Sequence, residues 1–352
     1  MLKVARCGVL VAIVTAMVPW TADAQVYPER VAVKAHAAAV AYQRRAREDN
    51  REQQVERTTR TVKLGSDGSL DLGNISGDIT VTRGGGGDAT IEIVKTARGR
   101  DTSDTKRQLD LVTVDVNERP GRAEVKAHYP NSDEHRTVNN INVSVSFTVT
   151  APTGTRVSAQ SISGDIKITD IKGDVTANTI SGNVQITGAS RINAAKTISG
   201  NVDITDVKTD GGIDASTISG DVRFRHVAAR RVGGGTVSGE VHFEDIDAQN
   251  VAAHSTSGSI TFSGALVSGG RYEFKAFSGD VRLALSGKAG FEIEANSFSG
   301  DIRSDFAITT HGTVDTGNRR GPRRTVLRGT YGDGSAVLQI TTFNGSIAIG
   351  KK

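Results

Sequence analysis

Cysteine is all but missing: the 352 residues contain one, Cys7, so no disulfide can close within the chain. Aromatic residues are scarce at 5%, with a single Trp, and only two Met accompany them. There are just six prolines, and the 40 glycines show no three-residue period, which excludes a collagen-like chain. Long apolar runs are absent beyond the first, Gly8 to Trp20. No Gly-x-Ser-x-Gly elbow, P-loop or metal-binding His pair occurs, so the familiar hydrolase, nucleotide and zinc signatures are excluded. What remains, 37% apolar and 23% charged residues, fits a folded, soluble protein.

That apolar run has a specific reading. Lys3 and Arg6 precede it, and Ala22-Asp23-Ala24 follows with small residues where a signal peptidase cuts. The pattern predicts a secretory signal peptide over residues 1–24. Its core is shorter than the ~20 residues a membrane-spanning helix needs. Cys7 lies ahead of the run, the wrong side for lipid attachment. Cleavage removes two basic residues, one acid and the cysteine, lowering the formal charge from +4 to +3. The exported form is then expected in the periplasm, outside the cell or on its surface. It would carry no thiol chemistry, no cysteine-ligated metal and no apolar stretch long enough to span a membrane.

A repeat dominates the rest. Ser-Gly followed by a small polar or acidic residue recurs with its glycine at 164, 182, 200, 220, 239, 258, 279 and 300, in steps of 18 to 21 residues. Ser76-Gly77-Asp78 is an earlier copy and Asn344-Gly345-Ser346 a degenerate late one. Aligned on that glycine, apolar columns emerge. Two after it stand Ile166, Val184, Val202, Val222, Val241, Ile260, Val281 and Ile302; four after it, Ile168, Ile186, Ile204, Phe224, Phe243, Phe262, Leu283 and Ser304. The residue between varies freely, as expected for a short strand with one buried face. A second strand shows seven and five residues before the glycine, as in Val175/Ala177 and Ile213/Ala215, displaced by one residue at Ile192/Ala194. Two before the glycine lies a further apolar column, Ile162, Ile180, Ile198, Ile218, Val237, Thr256, Phe277 and Phe298.

One coil cannot bury such a face alone, whereas stacked coils pair each strand with its equivalents about 4.8 Å away. About five inward side chains per coil, worth roughly 1.5–3 kcal/mol each, offset the entropy of ordering it. The expected fold is therefore all-β: a single-stranded β-solenoid (β-helix) of 18–21-residue coils, right-handed winding slightly favoured over left, with a short N-terminal helical segment. Residues 25–60, Ala-, Arg- and Glu-rich and without glycine, read as helical or mobile: a cap on the stack or a solvated arm. Residues 61–160 read as an irregular first part of the solenoid and 161–304 as regular coils. Residues 305–352 read as closing strands with an Arg-rich loop.

These repeated Thr-Ile-Ser-Gly-Asn/Asp-Val units resemble the DUF4097 family of adhesin-type β-strand repeat proteins. So do the stretch Phe147 to Val157 leading into them and the ending Leu338 to Ile347. The likeness covers about residues 60–350. It implies an exported or surface-exposed β-solenoid with no established enzymatic activity and no agreed functional residues.

The residues offer few chemical sites. The serine column is expected to bond to backbone at a bend. Asp165, Asp221, Asp280 and Asp301, following the glycine, are weak candidates for a bridging divalent cation such as calcium. However, neutral residues interrupt the column and the double-glycine calcium repeat is missing. Arg319, Arg320, Arg323, Arg324 and Arg328, without an acid among them, are candidates for contact with anionic surfaces. His226, His242 and His254 show no partnered carboxylate in the repeat pattern. A hexapeptide-type acyltransferase is disfavoured by steps of 19 to 21 residues, and a pectate-lyase-like enzyme by a variable column with one acid, Asp203. Nucleic acid is excluded as partner by export and the lack of interleaved aromatics. No catalytic residue and no cofactor is expected. The sequence points to a non-enzymatic binder of a cell-surface glycan or envelope protein, with an exported carbohydrate-active β-helix enzyme as the alternative.

Overall fold

The computed structural model describes residues 52–130, 141–287, 289–310 and 325–352. The expected signal peptide and most of the expected helical segment lie outside the described residues. Glu52–Lys352 is one compact unit.

Each repeat forms a rung, named here by its glycine. In the Gly182 rung, Asp174–Ser181 runs up to the bend and Val184–Thr187 leaves it. Both strands pair in parallel with their counterparts, giving two ladders. In the second ladder Ile166 pairs with Val184, Val184 with Val202 and Val202 with Val222. The same column continues through Val241, Ile260 and Val281, and every one of these residues is buried. The aliphatic stack expected from the spacing is therefore present in sequence from Ile166 to Val281, after which Ile347 precedes Ile302.

Packing inside follows a size rule. Phe224 and Phe243 stack with centroids 5.1 Å apart and planes 2° from parallel, whereas Phe262 is tilted by 54° because Phe274 and Tyr272 crowd it. Across from Phe224 and Phe243 stands Gly234, where a Cβ would come within 3.0 Å of both rings. Tyr272 is wholly buried, and its hydroxyl donates to the Ala248 carbonyl at 2.8 Å while accepting from Val267 N–H. Burial pushes its phenol above the usual range.

Several expectations need correction. The column two before the glycine is not inside: Ile162, Ile180, Ile198, Ile218, Val237, Phe277 and Phe298 are 36% to 56% exposed. The position before it, three before the glycine, points inward instead, as Ser161, Thr179, Thr197, Thr217, Thr236, Ser255 and Ser297. A β-bulge after Val175 puts Ala195 rather than Ala194 in the core. Residues 52–60 are not helical, since Glu52–Lys63 pairs antiparallel with Asp88–Gly99 along its whole length. The helix that is present, Thr102–Leu111, was not expected; the Asp101 side chain caps it by accepting from Asp104 N–H at 2.8 Å.

The C-terminal strands also differ from expectation. Ala336–Asn344 pairs with both Arg271–Ser278 and Phe291–Ser299, and Ile347–Lys351 pairs with both Val281–Ser286 and Ile302–Ser304. The last segment thus inserts between the Gly279 and Gly300 rungs instead of closing the end. Thr325–Tyr331 covers the final rung antiparallel. At the opposite end Asp88–Gly99 and Thr113–Arg119 pair antiparallel with Val143–Ala151 and Arg122–His128.

The bend itself explains the glycine. From Gly164 to Gly279 the recurring glycines have φ between +143° and +155°, a region closed to other residues without strain. A Cβ on Gly220 would lie 2.1 Å from the Gly200 carbonyl oxygen. That same carbonyl accepts from the Thr217 hydroxyl at 2.9 Å, and Thr197, Thr236 and Ser297 do the same for Gly182, Gly220 and Gly345. Two outcomes follow in urea unfolding. Gly220→Ala should cost at least about 1–3 kcal/mol from backbone strain alone. Thr217→Val, which keeps the volume but orphans a buried carbonyl, should cost about 1–3 kcal/mol, whereas Thr217→Ser should cost far less.

Candidate functional site

The bend presents two different surfaces, set by strand alternation on either side of the glycine. After it, the first and third residues point outward and form a charged ladder. On its rungs Arg223 pairs with Asp221 at 2.5 Å, Arg282 with Asp280 at 2.6 Å and Arg303 with Asp301 at 3.7 Å. On the Gly239 rung His242 Nε2 lies 2.8 Å from Glu240 Oε2. Exposed pairs of this kind contribute little to stability, about 0–1 kcal/mol each.

The acidic column has a structural task besides. Asp165 Oδ1 accepts the Asn183 backbone N–H at 2.7 Å, Asn183 Oδ1 accepts from Asn201, Asn201 Oδ1 from Asp221, and Asp221 Oδ1 from Glu240. Asp280 accepts likewise from Ser346 at 2.9 Å. Each side chain thus stitches its rung to the next. This explains why Asp and Asn interchange there, since both present an acceptor oxygen. Among the described residues no three His, Cys, Asp or Glu side chains gather in a way that could hold a metal ion. One oxygen of each of Asp165, Asp221 and Asp280 already accepts a backbone N–H.

Before the glycine the outward residue is apolar, and a groove lies beside it near each end of the stack. Near one end the groove has a volume of about 460 Å³, with walls formed by Ile75, Ile162 and Ile180 on one side and Lys126, Gln160 and Asn178 on the other. Near the other end it measures about 450 Å³, between Phe277, Phe343 and Phe298 and the column of His254, Lys275 and Asn296. Phe343 lies between Phe277 and Phe298, at 5.0 and 4.5 Å with nearly parallel planes. No Asp or Glu lines either section. A third, more open cleft of about 580 Å³ holds Asp210 and Asp247 with Lys208 and Arg230.

The remaining sequence candidates are dispersed. Arg319, Arg320, Arg323 and Arg324 lie outside the described residues. Arg328 stands in the strand Thr325–Tyr331, its guanidinium 2.6 Å from Glu294. The serine column is exposed, and it is the hydroxyl two residues earlier that serves the bend carbonyl. Two of the three histidines, His226 and His242, have carboxylate partners after all. His226 Nδ1 lies 3.1 Å from Asp206, and its Nε2 is 3.6 Å from Asp245 on the opposite rung. Lys352 also pairs with Asp245 and holds that carboxyl below the usual range. All three of Asp206, His226 and Asp245 have φ of +51° to +55°, so they form a second bend column rather than a cavity.

The stitched acidic column predicts that calcium is not needed. Millimolar calcium or a chelator should leave the melting temperature unchanged, and Asp221→Ala should cost about 0.5–1.5 kcal/mol by removing one N–H acceptor. A calcium-dependent rise of several degrees, lost in Asp221→Ala, would instead assign a metal to the column.

Several solved structures match the chain. They include a "putative adhesin" from Bacteroides fragilis, at 16% identity and a TM-score of 0.41, covering 84% of this chain and 97% of that one. Another is a "putative lipid binding protein" from Parabacteroides distasonis, at 12% identity and 0.47, with the same coverage. A second "putative adhesin" from the latter organism has 13% identity and a TM-score of 0.39, covering 66% of this chain and 95% of that one. No curated protein matches the chain. Residues 68–350 match the family described as Toastrack DUF4097, a span that takes in nearly every rung. The chain therefore belongs to the DUF4097 (Toastrack) family.

Proposed function

We propose that this protein is an exported, envelope-exposed and non-enzymatic β-solenoid, wound right-handed, that binds a cell-surface glycan or an envelope protein. The observation that carries this reading is the charged ladder, with acid–base pairs at 2.5 to 3.7 Å on separate rungs of one face. Such pairs add little to folding. They do offer what a polyhydroxylated or mixed-charge partner needs: carboxylate acceptors beside guanidinium donors, held on a rigid sheet. The rungs that carry these pairs lie one or two strand spacings of ~4.8 Å apart, so a chain-like ligand could engage several at once. The Arg-rich loop carrying Arg319, Arg320, Arg323 and Arg324 is proposed as a second contact for anionic groups. Arg328 is left out because Glu294 already engages it.

A carbohydrate-cleaving enzyme needs two convergent carboxyl groups. The groove walls offer none, and the open cleft holds Lys208 and Arg230 beside its two acids. Binding of the purified chain to glycan arrays and to native envelope preparations tests the proposal. Arg223→Ala with Arg282→Ala should weaken binding at least tenfold while leaving the fold intact, and removal of residues 316–324 should weaken it further at low salt. Absence of binding to any surface would overturn the reading. So would turnover of a polysaccharide that disappears in Asp247→Asn.

A further inference from the structure

The apolar column is the largest feature that the charged ladder leaves unused. In stacking order it reads Ile75, Ile162, Ile180, Ile198, Ile218, Val237, Thr256, Phe277, Phe343 and Phe298, ten rungs in one line. Nine steps of about 4.8 Å make a ridge roughly 43 Å long. All but Thr256 are large and apolar, with 36% to 56% of their surface in solvent. Their combined apolar area is on the order of 800 Å², above the roughly 300–600 Å² of the largest patch on an ordinary monomer and equal to one partner's share of a stable interface.

We propose that this ridge docks a second copy of the same chain, each ridge seated in the groove of the other about a two-fold axis parallel to the stack. Two observations select that occupant and that axis. First, the ridge repeats at the strand spacing, a period that another copy matches over ten rungs without strain. Second, near both ends of the ridge a groove lies on the same side of it, between the ridge and the column two residues earlier. Rotation about an axis along the stack exchanges the two sides, so each ridge meets a groove. Rotation about a perpendicular axis would set ridge on ridge and leave both grooves empty. The interface is isologous and closed, so it produces dimers and not fibres.

Sedimentation of the purified chain at micromolar concentration tests this directly. A dimer is expected, and Ile198→Glu with Phe277→Glu should raise its dissociation constant at least a hundredfold with an unchanged far-UV spectrum, since both side chains are already half in solvent. Single cysteines then fix the axis in a Cys7→Ser background: Ile162→Cys and Phe343→Cys should each cross-link to itself. Cross-linking only in a mixture of the two variants would mean an antiparallel pair and overturn the proposed axis. A monomer, or a dimer indifferent to both glutamates, overturns the proposal. So does a monomer that floats with phosphatidylcholine vesicles through Phe277, which would give the ridge to a lipid.

Discussion

One close approach governs the molecule: the α-carbon of each recurring glycine rests on the carbonyl of the glycine in the next rung. The contact has no room for a side chain, because a Cβ would sit 2.0 to 2.2 Å from that oxygen on nearly every rung. It also turns the carbonyl away from the strand ladders, and an inward hydroxyl three residues before the glycine accepts the task of satisfying it. Bend, glycine and hydroxyl are thus one device, repeated at strand spacing. A peptide carbonyl left without a donor is costly, which accounts for Ser or Thr at this place on most rungs, though Ala276 stands there before Gly279 and the Ser161 hydroxyl has no partner. Everything outward of the bend follows from it, because fixing its φ fixes which neighbours face solvent.

The interior was legible where period 2 ran undisturbed. Val184 and Ile186, or Val222 and Phe224, alternate with freely varying residues and all four are buried. The exposed column was misread because apolar identity outweighed parity. With Val175 and Ala177 inside, alternation puts Thr179 inside and Ile180 out, as observed. The signal was present, but a hydroxyl facing a core makes sense only once the bend carbonyl is known to need it. The acidic column likewise reads as metal chemistry until backbone N–H groups are seen to occupy its oxygens.

Rung order could not be read. Leu338, Ile340, Ile347 and Ile349 occupy the same columns as every other rung, so the last segment fits equally well anywhere in the stack by pattern alone. The long strand Glu52–Lys63 was hidden for a different reason. Only Val62 in it is buried, so no alternation marks it, and pairing along Asp88–Gly99 overrides the helical preference of its Glu, Gln and Arg. A site of contact is harder still, since both flanks of the bend become visible only after the chain is wound.

The stacking order can be measured with paired cysteines at bend positions, in a background without Cys7. Asn344 stands in register with both Ser278 and Ser299, at the inter-strand separation of about 5 Å that a disulfide bridges. Ser278→Cys with Asn344→Cys, and Ser299→Cys with Asn344→Cys, should each oxidise readily within one chain, whereas Ser278→Cys with Ser299→Cys should not. Rapid closure of the last pair, with failure of the first two, would contradict this winding and the bend contact on which it rests.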